Sequence, residues 1–548
     1  MQTKAENKIN KAEGFMKSVL VLMISQVAIK LLGFVYRVYL TNREGFGDEG
    51  NAIYSGGYLI YALLLTISSI GVPNAISKLV SERVAVGDNK GAHRVFKVAL
   101  MTFGVIGLIG TMILFFGAGY IANVILQIPE SELTLVALSP AIFFVTIASV
   151  LRGYFNGRDK ISVTAKAQTL EQIFKTVLTV AVVEIVVLLY GKNVTIMAAG
   201  ANLATTLSVL LSFGYMALYY KVYKKTVDIE NSLNYKFEKA SQVVKKILFV
   251  SVPITLSAIM STLNKNIDSI TVVRGLKKFL SESEAKLQYG ILSGKVDTLI
   301  TLPLSFNVAF ATALVPSISA AIAKKETESA SKRISFSLLV TMIIGLPCTF
   351  GMMVFAEPII RLLFPNATNG AILLQISSLT IIFSVLAQTV NGALQGLGRI
   401  MIPAVSSLIG LLVKLVLNII LIQIPSIGVN GAAIGSIVNN VLVFAISYYI
   451  LSKTIKLDIK AVKFVVKPIF ATFIMCVTSY YLYTILINLA LSTKIATIIA
   501  LVFAIIIYLI SIIILKIFTR EELHMIPYGC KICKMLESLG IYKKEEIK

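Results

Sequence analysis

The sequence predicts an all-α polytopic membrane protein with about fourteen transmembrane helices, and three observations carry that expectation. Of its 548 residues, 56% are hydrophobic and only 14% charged, which leaves too little polar surface to cover one or several water-soluble cores. The apolar residues are also gathered into runs such as 496–515, each long enough to cross a hydrocarbon layer that needs roughly 20 helical residues. Finally, the runs are unbroken Leu, Ile, Val and Phe, without the alternation of polarity that a barrel strand would require.

A tail, 1–16, precedes the first span, 17–40. No small-residue cleavage site follows that span, so it reads as a retained helix and not as a removed signal. Five further spans, 52–71, 95–119, 133–151, 164–190 and 195–219, complete a first lobe, 17–219. A lysine-rich linker, 220–246, also holds Asp228, Glu230 and Glu238. It leads to a second lobe, 247–451, with spans at 247–270, 292–314, 334–356, 371–393, 402–424 and 431–451. Two additional spans, 464–490 and 495–517, and a tail, 518–548, close the chain.

The connectors after even-numbered spans hold most of the Lys and Arg, among them Lys78, Arg83, Arg94, Arg152, Arg158, Lys324, Lys332 and Lys453. The positive-inside rule therefore places them, and both termini, in the cytoplasm, with the chain a multi-pass protein of the plasma membrane. One odd connector, 273–294, breaks the rule with Arg274, Lys277, Lys278 and Lys286. It is either an amphipathic external helix or a slip in the span count. The net charge of +23 thus points to anionic membrane lipid and not to nucleic acid.

The chain also repeats itself. Arg152-Gly153-Tyr154-Phe155-Asn156-Gly157 and Asn391-Gly392-Ala393-Leu394-Gln395-Gly396 lie 239 positions apart, and at the same offset Lys160 matches Arg399 and Lys175 matches Lys414. A second echo joins Val72-Pro73 and Ile76-Ser77 to Val315-Pro316 and Ile318-Ser319. Six spans per copy is an even number, so the copies insert in the same orientation as parallel repeats. Such a duplication implies alternating access and supplies two lobes within one chain, so a monomer is expected. The Gly-x-x-x-Gly pairs at 153/157 and 392/396 follow the apolar runs and read as tight cytoplasmic turns.

No Walker loop or zinc-helix motif is present, and His93 and His524 are the only histidines. An enzyme is therefore not expected, nor is a bound cofactor or metal. Cys348 and Cys476 sit in apolar runs, while Cys530 and Cys533 form one CxxC in the tail, which alone does not make a metal site. The chemistry must lie in charged residues that apolar spans retain although each costs about 3 kcal/mol at mid-membrane.

Lys30 and Arg37, seven residues apart with Gly33 between them, form a cationic stripe on one face of the first span. It either lines a cavity or, at Arg37, snorkels to the surface. Asn264, Lys265 and Asp268 interrupt the seventh span, and Lys295 with Asp297 opens the eighth. Lys30, Arg37, Lys265 and Lys295 are thus candidate ligands for an anionic headgroup, supported by Gly33, Asn264, Asp268 and Asp297. The bland alternative is an internal Lys265–Asp268 pair. Glu171 and Lys175 have the spacing of an intrahelical ion pair. Glu184 and Asp297 are candidates for coupling to a proton or Na+ gradient or to the membrane potential.

The segments Lys30-Leu31-Leu32-Gly33-Phe34-Val35-Tyr36-Arg37, Gly47-Asp48-Glu49-Gly50, Gly71-Val72-Pro73-Asn74-Ala75-Ile76-Ser77-Lys78 and Arg152–Gly157 resemble the stage V sporulation protein B group. That group stands with MurJ-type lipid II flippases in the multidrug/oligosaccharidyl-lipid/polysaccharide (MOP) exporter superfamily. The resemblance implies a V-shaped, MATE-like pair of six-helix lobes around a cationic cavity, with spans 13 and 14 forming a groove for a lipid tail. It further implies a flippase for a polyprenyl-pyrophosphate-linked peptidoglycan precursor, lipid II, serving cell-wall or spore-cortex synthesis. Asp297 and Pro303 fall in register with the family's eighth-span motif, whereas Thr298 and Lys30 stand where that pattern has arginine. The alternatives are a flippase for another lipid-linked oligosaccharide in polysaccharide export, a cation-coupled multidrug exporter, and a non-transporting scaffold. The scaffold would recruit cell-wall synthesis enzymes through the basic connectors and the tail.

Overall fold

The computed structural model describes residues 28–69, 71–225, 238–323, 325–399, 401–457, 459–519 and 522–523, and all regular structure among them is helical. Helix α1 covers residues 28–42. It is followed by α2 Gly47–Ser69, α3 Gly71–Ala85, α4 Asn89–Tyr120, α5 Glu132–Gly157, α6 Ile161–Tyr190, α7 Val194–Tyr223, α8 Ala240–Leu276 and α9 Glu282–Gly290. The remainder are α10 Asp297–Ala323, α11 Thr327–Val354, α12 Ala356–Leu363, α13 Ala371–Gly396, α14 Met401–Leu421, α15 Asn430–Thr454, α16 Lys467–Asn488 and α17 Thr493–Ile514. Tail residues 1–16, Asp228 and Glu230 of the linker, and Cys530 and Cys533 lie outside the described residues.

Eleven helical stretches among the described residues are long and apolar enough to cross a membrane. The other expected spans fall on α1, described from residue 28, and on α8 and α10. The molecule is an all-α, multi-pass membrane protein. Its helices overrun the apolar sequence: α5 continues to Gly157 and α13 to Gly396, because hydropathy marks the edge of the hydrocarbon whereas a helix stops only where its backbone is capped. Asp88 caps α4 by accepting from the Gly91 amide at 2.8 Å, and Asn193 caps α7 by accepting from that of Ile196.

Two compact units form. One runs up to Leu302 and includes Leu411–Gly435; the other comprises Pro303–Gly410 and the chain from Ser436 onward. The first unit therefore draws residues from both copies of the sequence repeat.

In the first unit, Val72, Ala75, Ile76 and Val80 of α3 pack with Phe96, Ala99 and Phe103 of α4 and with Leu151, Tyr154 and Phe155 of α5. The expected turn at the first glycine pair is instead a helix seam. A Cβ on Gly153 would stand 2.7 Å from Ile76 Cβ and 2.9 Å from the Pro73 carbonyl, and one on Gly157 would stand 2.7 Å from the Ser77 carbonyl. The second unit repeats this seam, since a Cβ on Gly392 would come within 2.9 Å of the Ala311 carbonyl and one on Gly396 within 2.8 Å of Ile318 Cβ. The two echoes in the sequence are thus the two sides of one contact, made once in each unit. Small residues there let helix backbones approach closely, as packing without a hydrophobic driving force requires.

Gly153→Val is expected to lower stability by about 3 kcal/mol, the upper end of the cost of overpacking, because part of what it meets is backbone. Gly214→Val, where a Cβ meets nothing within 4 Å, is the control, and thermal unfolding in detergent measures both.

In the second unit, Asn307 of α10 donates to the Val385 carbonyl at 2.9 Å and accepts from Thr341, joining α10, α11 and α13. The extra pair α16 and α17 belongs here, with Tyr508 donating to the Ile343 carbonyl of α11 at 2.8 Å. The opposite faces of these helices expose Phe470, Phe473, Tyr481, Ile505 and Leu509, as lipid contact demands.

The lysine-rich connector 273–294 forms α9, opened by a capping box between Ser281 and Glu284. Its cations are engaged locally. Lys286 pairs with Glu130 at 2.5 Å and with Glu282 at 3.2 Å, Lys277 pairs with Glu282 at 2.9 Å, and Arg274 donates to the Val124 carbonyl. This stretch therefore presents less free positive charge than its lysine count implies. Glu238, preceding α8, bridges Arg83 at 2.5 Å and Lys246 at 2.7 Å. Partial burial alone would raise its carboxyl, but the two cations outweigh burial and hold it below the usual carboxylate range.

Candidate functional site

All the candidate residues lie in the first unit. On α1, Lys30 is exposed, while Arg37 donates to Ser55 Oγ at 3.2 Å and sets its guanidinium carbon 4.3 Å from the centre of the Tyr54 ring. Ser55 and Tyr36 engage part of the guanidinium, and its five donors still leave others for an acceptor. Gly33 packs against α6, where a Cβ would meet Gln172 Nε2 at an ordinary 3.7 Å. Close approach is thus not what demands a glycine at that position.

On α8, Lys265 is exposed and donates to Thr301 Oγ1 at 3.3 Å, near the outer limit of a hydrogen bond. Asp268, one turn further, is not its partner. Lys414 of α14 donates to Asp268 Oδ2 at 2.6 Å and to the Asn264 carbonyl at 2.8 Å, and Asn418 donates to Asp268 Oδ1 at 2.8 Å. Thr271 completes this buried set by accepting from Asn418 at 3.0 Å. Asp268 and Asn264 thereby neutralise and hold Lys414, which leaves Lys265 without a carboxylate within ion-pairing distance among the described residues.

Lys295 sits in a π-helical turn, Ile291–Val296, between α9 and α10. Its side chain is fully buried and pairs with Asp48 of α2 at 2.9 Å. Gly290 and Gly294 allow that approach, because a Cβ at either would collide with Asp48 or Asn51. Asp297 begins α10 with a carboxylate that makes no hydrogen bond or ion pair among the described residues, within electrostatic reach of Lys265, Lys414, Asp268 and Arg37. Lys30 is likewise within reach of Lys265. Lys30, Arg37, Lys265 and Asp297 are thus brought into one electrostatic neighbourhood, whereas Lys295 is occupied elsewhere. Glu184 lies near the end of α6, 42% exposed, accepting from Arg43 at 2.8 Å and from the Tyr39 hydroxyl.

Sequence spacing missed two features. Glu171 pairs with Arg152 of α5 at 2.9 Å, not with Lys175. Lys175 instead lies buried against the rings of Tyr58, at 4.2 Å, and Tyr36, at 5.4 Å. The available signal was the spacing of Tyr54, Tyr58 and Tyr61, which puts three tyrosines on one face of α2 beside the neighbouring Tyr36 and Arg37.

Comparison with known proteins places this arrangement. A family described as "Polysaccharide biosynthesis protein" matches residues 15–321, and one described as "MatE" matches 294–420. Stage V sporulation protein B of Bacillus subtilis (strain 168) is 30% identical over 514 residues, covering 94% of this chain and 98% of that protein. The chain belongs to the polysaccharide biosynthesis protein family.

This family member is also 25% identical over 427 residues to the lipid II flippase MurJ of Bacillus subtilis (strain 168), covering 75% of this chain and 77% of that one. A solved structure of lipid II flippase MurJ in an inward closed conformation shares the fold, with a TM-score of 0.69 at 16% identity, over 90% of this chain and 98% of that one. This member of the family is therefore a MATE-like membrane transporter of the MOP superfamily and not an enzyme.

Proposed function

We propose that the protein moves lipid II from the inner to the outer leaflet of the bacterial cytoplasmic membrane by alternating access, with both termini cytoplasmic. The observation that supports this reading is the set of cations without carboxylate partners among the described residues, Lys30, Arg37 and Lys265, gathered in one unit. Two or three such donors suit a pyrophosphate, whose charge must be matched once the headgroup leaves water. Asp297, near these cations and without a hydrogen bond among the described residues, is the better candidate for coupling to a proton or Na+ gradient; Glu184 is held by Arg43 and Tyr39. Neither ATP nor a resident cofactor is part of this mechanism.

The test is the amount of lipid II accessible at the outer leaflet of cells depleted of their own flippase and expressing this chain. Restored exposure is the expected result. Good membrane expression without restoration would move the substrate to another lipid-linked glycan, a reading that the polysaccharide biosynthesis family match favours as the second choice.

A further inference from the structure

One buried cation has no place in the anion site as described. Lys175 of α6 is 6% exposed and has no carboxylate within ion-pairing distance among the described residues, since Glu171 is taken by Arg152. Its repeat mate Lys414 is equally buried but is matched by Asp268 at 2.6 Å. An uncompensated ammonium inside a membrane protein is costly, so its presence calls for an account that Lys414 does not need.

The surroundings of Lys175 supply one. Its Nζ lies 4.2 Å from the centre of the Tyr58 ring. That ring stacks on Tyr54, centroid to centroid 5.6 Å with the planes 17° apart. Tyr54 in turn carries the Arg37 guanidinium at 4.3 Å. Ammonium, two rings and guanidinium form a continuous series, each step a cation–π or stacking contact. Tyr36 closes the group, with its ring 5.4 Å from Lys175 Nζ and its hydroxyl 3.4 Å from that of Tyr54. Lys175 thus anchors the aromatic platform on which Arg37 rests.

We propose that Lys175 is a positioning residue for pyrophosphate recognition, acting through Tyr58 and Tyr54 to fix the guanidinium of Arg37 while adding an unmatched positive charge behind it. This rests on the reading that Arg37 binds the pyrophosphate of a lipid-linked substrate. Lys175 touches no ligand in this scheme. A methionine of similar length preserves packing but releases the ring series, and an arginine preserves the cation.

The experiment uses the full chain in lipid nanodiscs with undecaprenyl pyrophosphate as probe and reads two quantities. One is the Kd. The other, recorded without probe, is the Arg37 Nε–Hε resonance, assigned by its loss in Arg37→Lys. Lys175→Met is expected to weaken binding about tenfold and to broaden or shift the Arg37 resonance, with Lys175→Arg returning the Kd to within about threefold of wild type and the resonance to its wild-type position. Unchanged binding and an unchanged resonance in Lys175→Met would overturn the proposal, as would Lys175→Arg being as impaired as Lys175→Met, which is the behaviour of a merely structural residue. If Lys175→Met does not fold, Tyr58→Leu breaks the same series and must give the same displacement of the Arg37 resonance. Failure of the wild type to bind the probe would remove the pyrophosphate reading, while the ligand-free resonance would still decide whether Lys175 positions Arg37.

Discussion

Lys30, Arg37 and Lys265 replaced together by methionine leave a protein that inserts and unfolds like wild type but transports about a thousandfold more slowly. The size follows from the chemistry, because a hydrogen bond to a charged group contributes about 1.5 to 3 kcal/mol and each 1.4 kcal/mol is a factor of ten. Three such losses remove most of the binding energy available to a pyrophosphate. Arg37→Met alone is expected to show the largest single effect, since a guanidinium can grip two oxygens at once. Stability changes little because none of the three pairs with a carboxylate among the described residues: Lys30 and Lys265 are exposed, and Arg37 meets only the neutral Ser55, Tyr36 and Tyr54 side chains. Initial rates of lipid translocation in proteoliposomes, beside thermal unfolding of the same preparations, check both halves. Wild-type rates in the triple variant would mean that these cations serve only to reach the membrane surface.

Lys414→Met has the opposite signature, a loss of stability of about 3 kcal/mol, because removing one partner of a buried ion pair strands the other. Asp268 would remain with only Asn418 as donor, in a setting where Lys414 is 1% and the Asp268 side chain 10% exposed. The double variant Lys414→Met with Asp268→Leu should recover most of that loss, since an apolar pair of similar volume needs no charge compensation. Thermal midpoints of the two variants decide the matter. Equal destabilisation in both would mean that packing around α8 and α14, not the charge pair, holds this region.

Much of the fold was legible because membrane thickness imposes a length on every span, and the runs of apolar residues record it. The glycine pairs were misplaced for the same reason. The apolar runs end near Leu151 and Ala393, but α5 and α13 continue to Gly157 and Gly396 and pack beyond those edges. At the site, residue type was legible and partnership was not. The spacing of Glu171 and Lys175 permits a bond, yet the guanidinium of Arg152 on a neighbouring helix takes the carboxylate. Nor could spacing join Lys414 to Asp268, which are far apart in sequence and meet only because of how α8 and α14 are rotated toward each other. Lys295 reads like Lys265 in the sequence, but a π-helical turn aims it into the protein at Asp48.

The glycine seams bear on how such a chain diversifies. Each copy keeps the same uncharged joint, Gly153 and Gly157 against α3 in one and Gly392 and Gly396 against α10 in the other. The candidate headgroup ligands Lys30, Arg37 and Lys265 belong to other helices, and the repeat-related lysines 175 and 414 have already acquired different surroundings. A duplicated gene built this way separates what must stay alike from what is free to drift. Mutations that retune a headgroup preference can accumulate in one copy without disturbing the joint in either, so kindred chains with divergent cargoes should preserve the four glycines and vary the lysines.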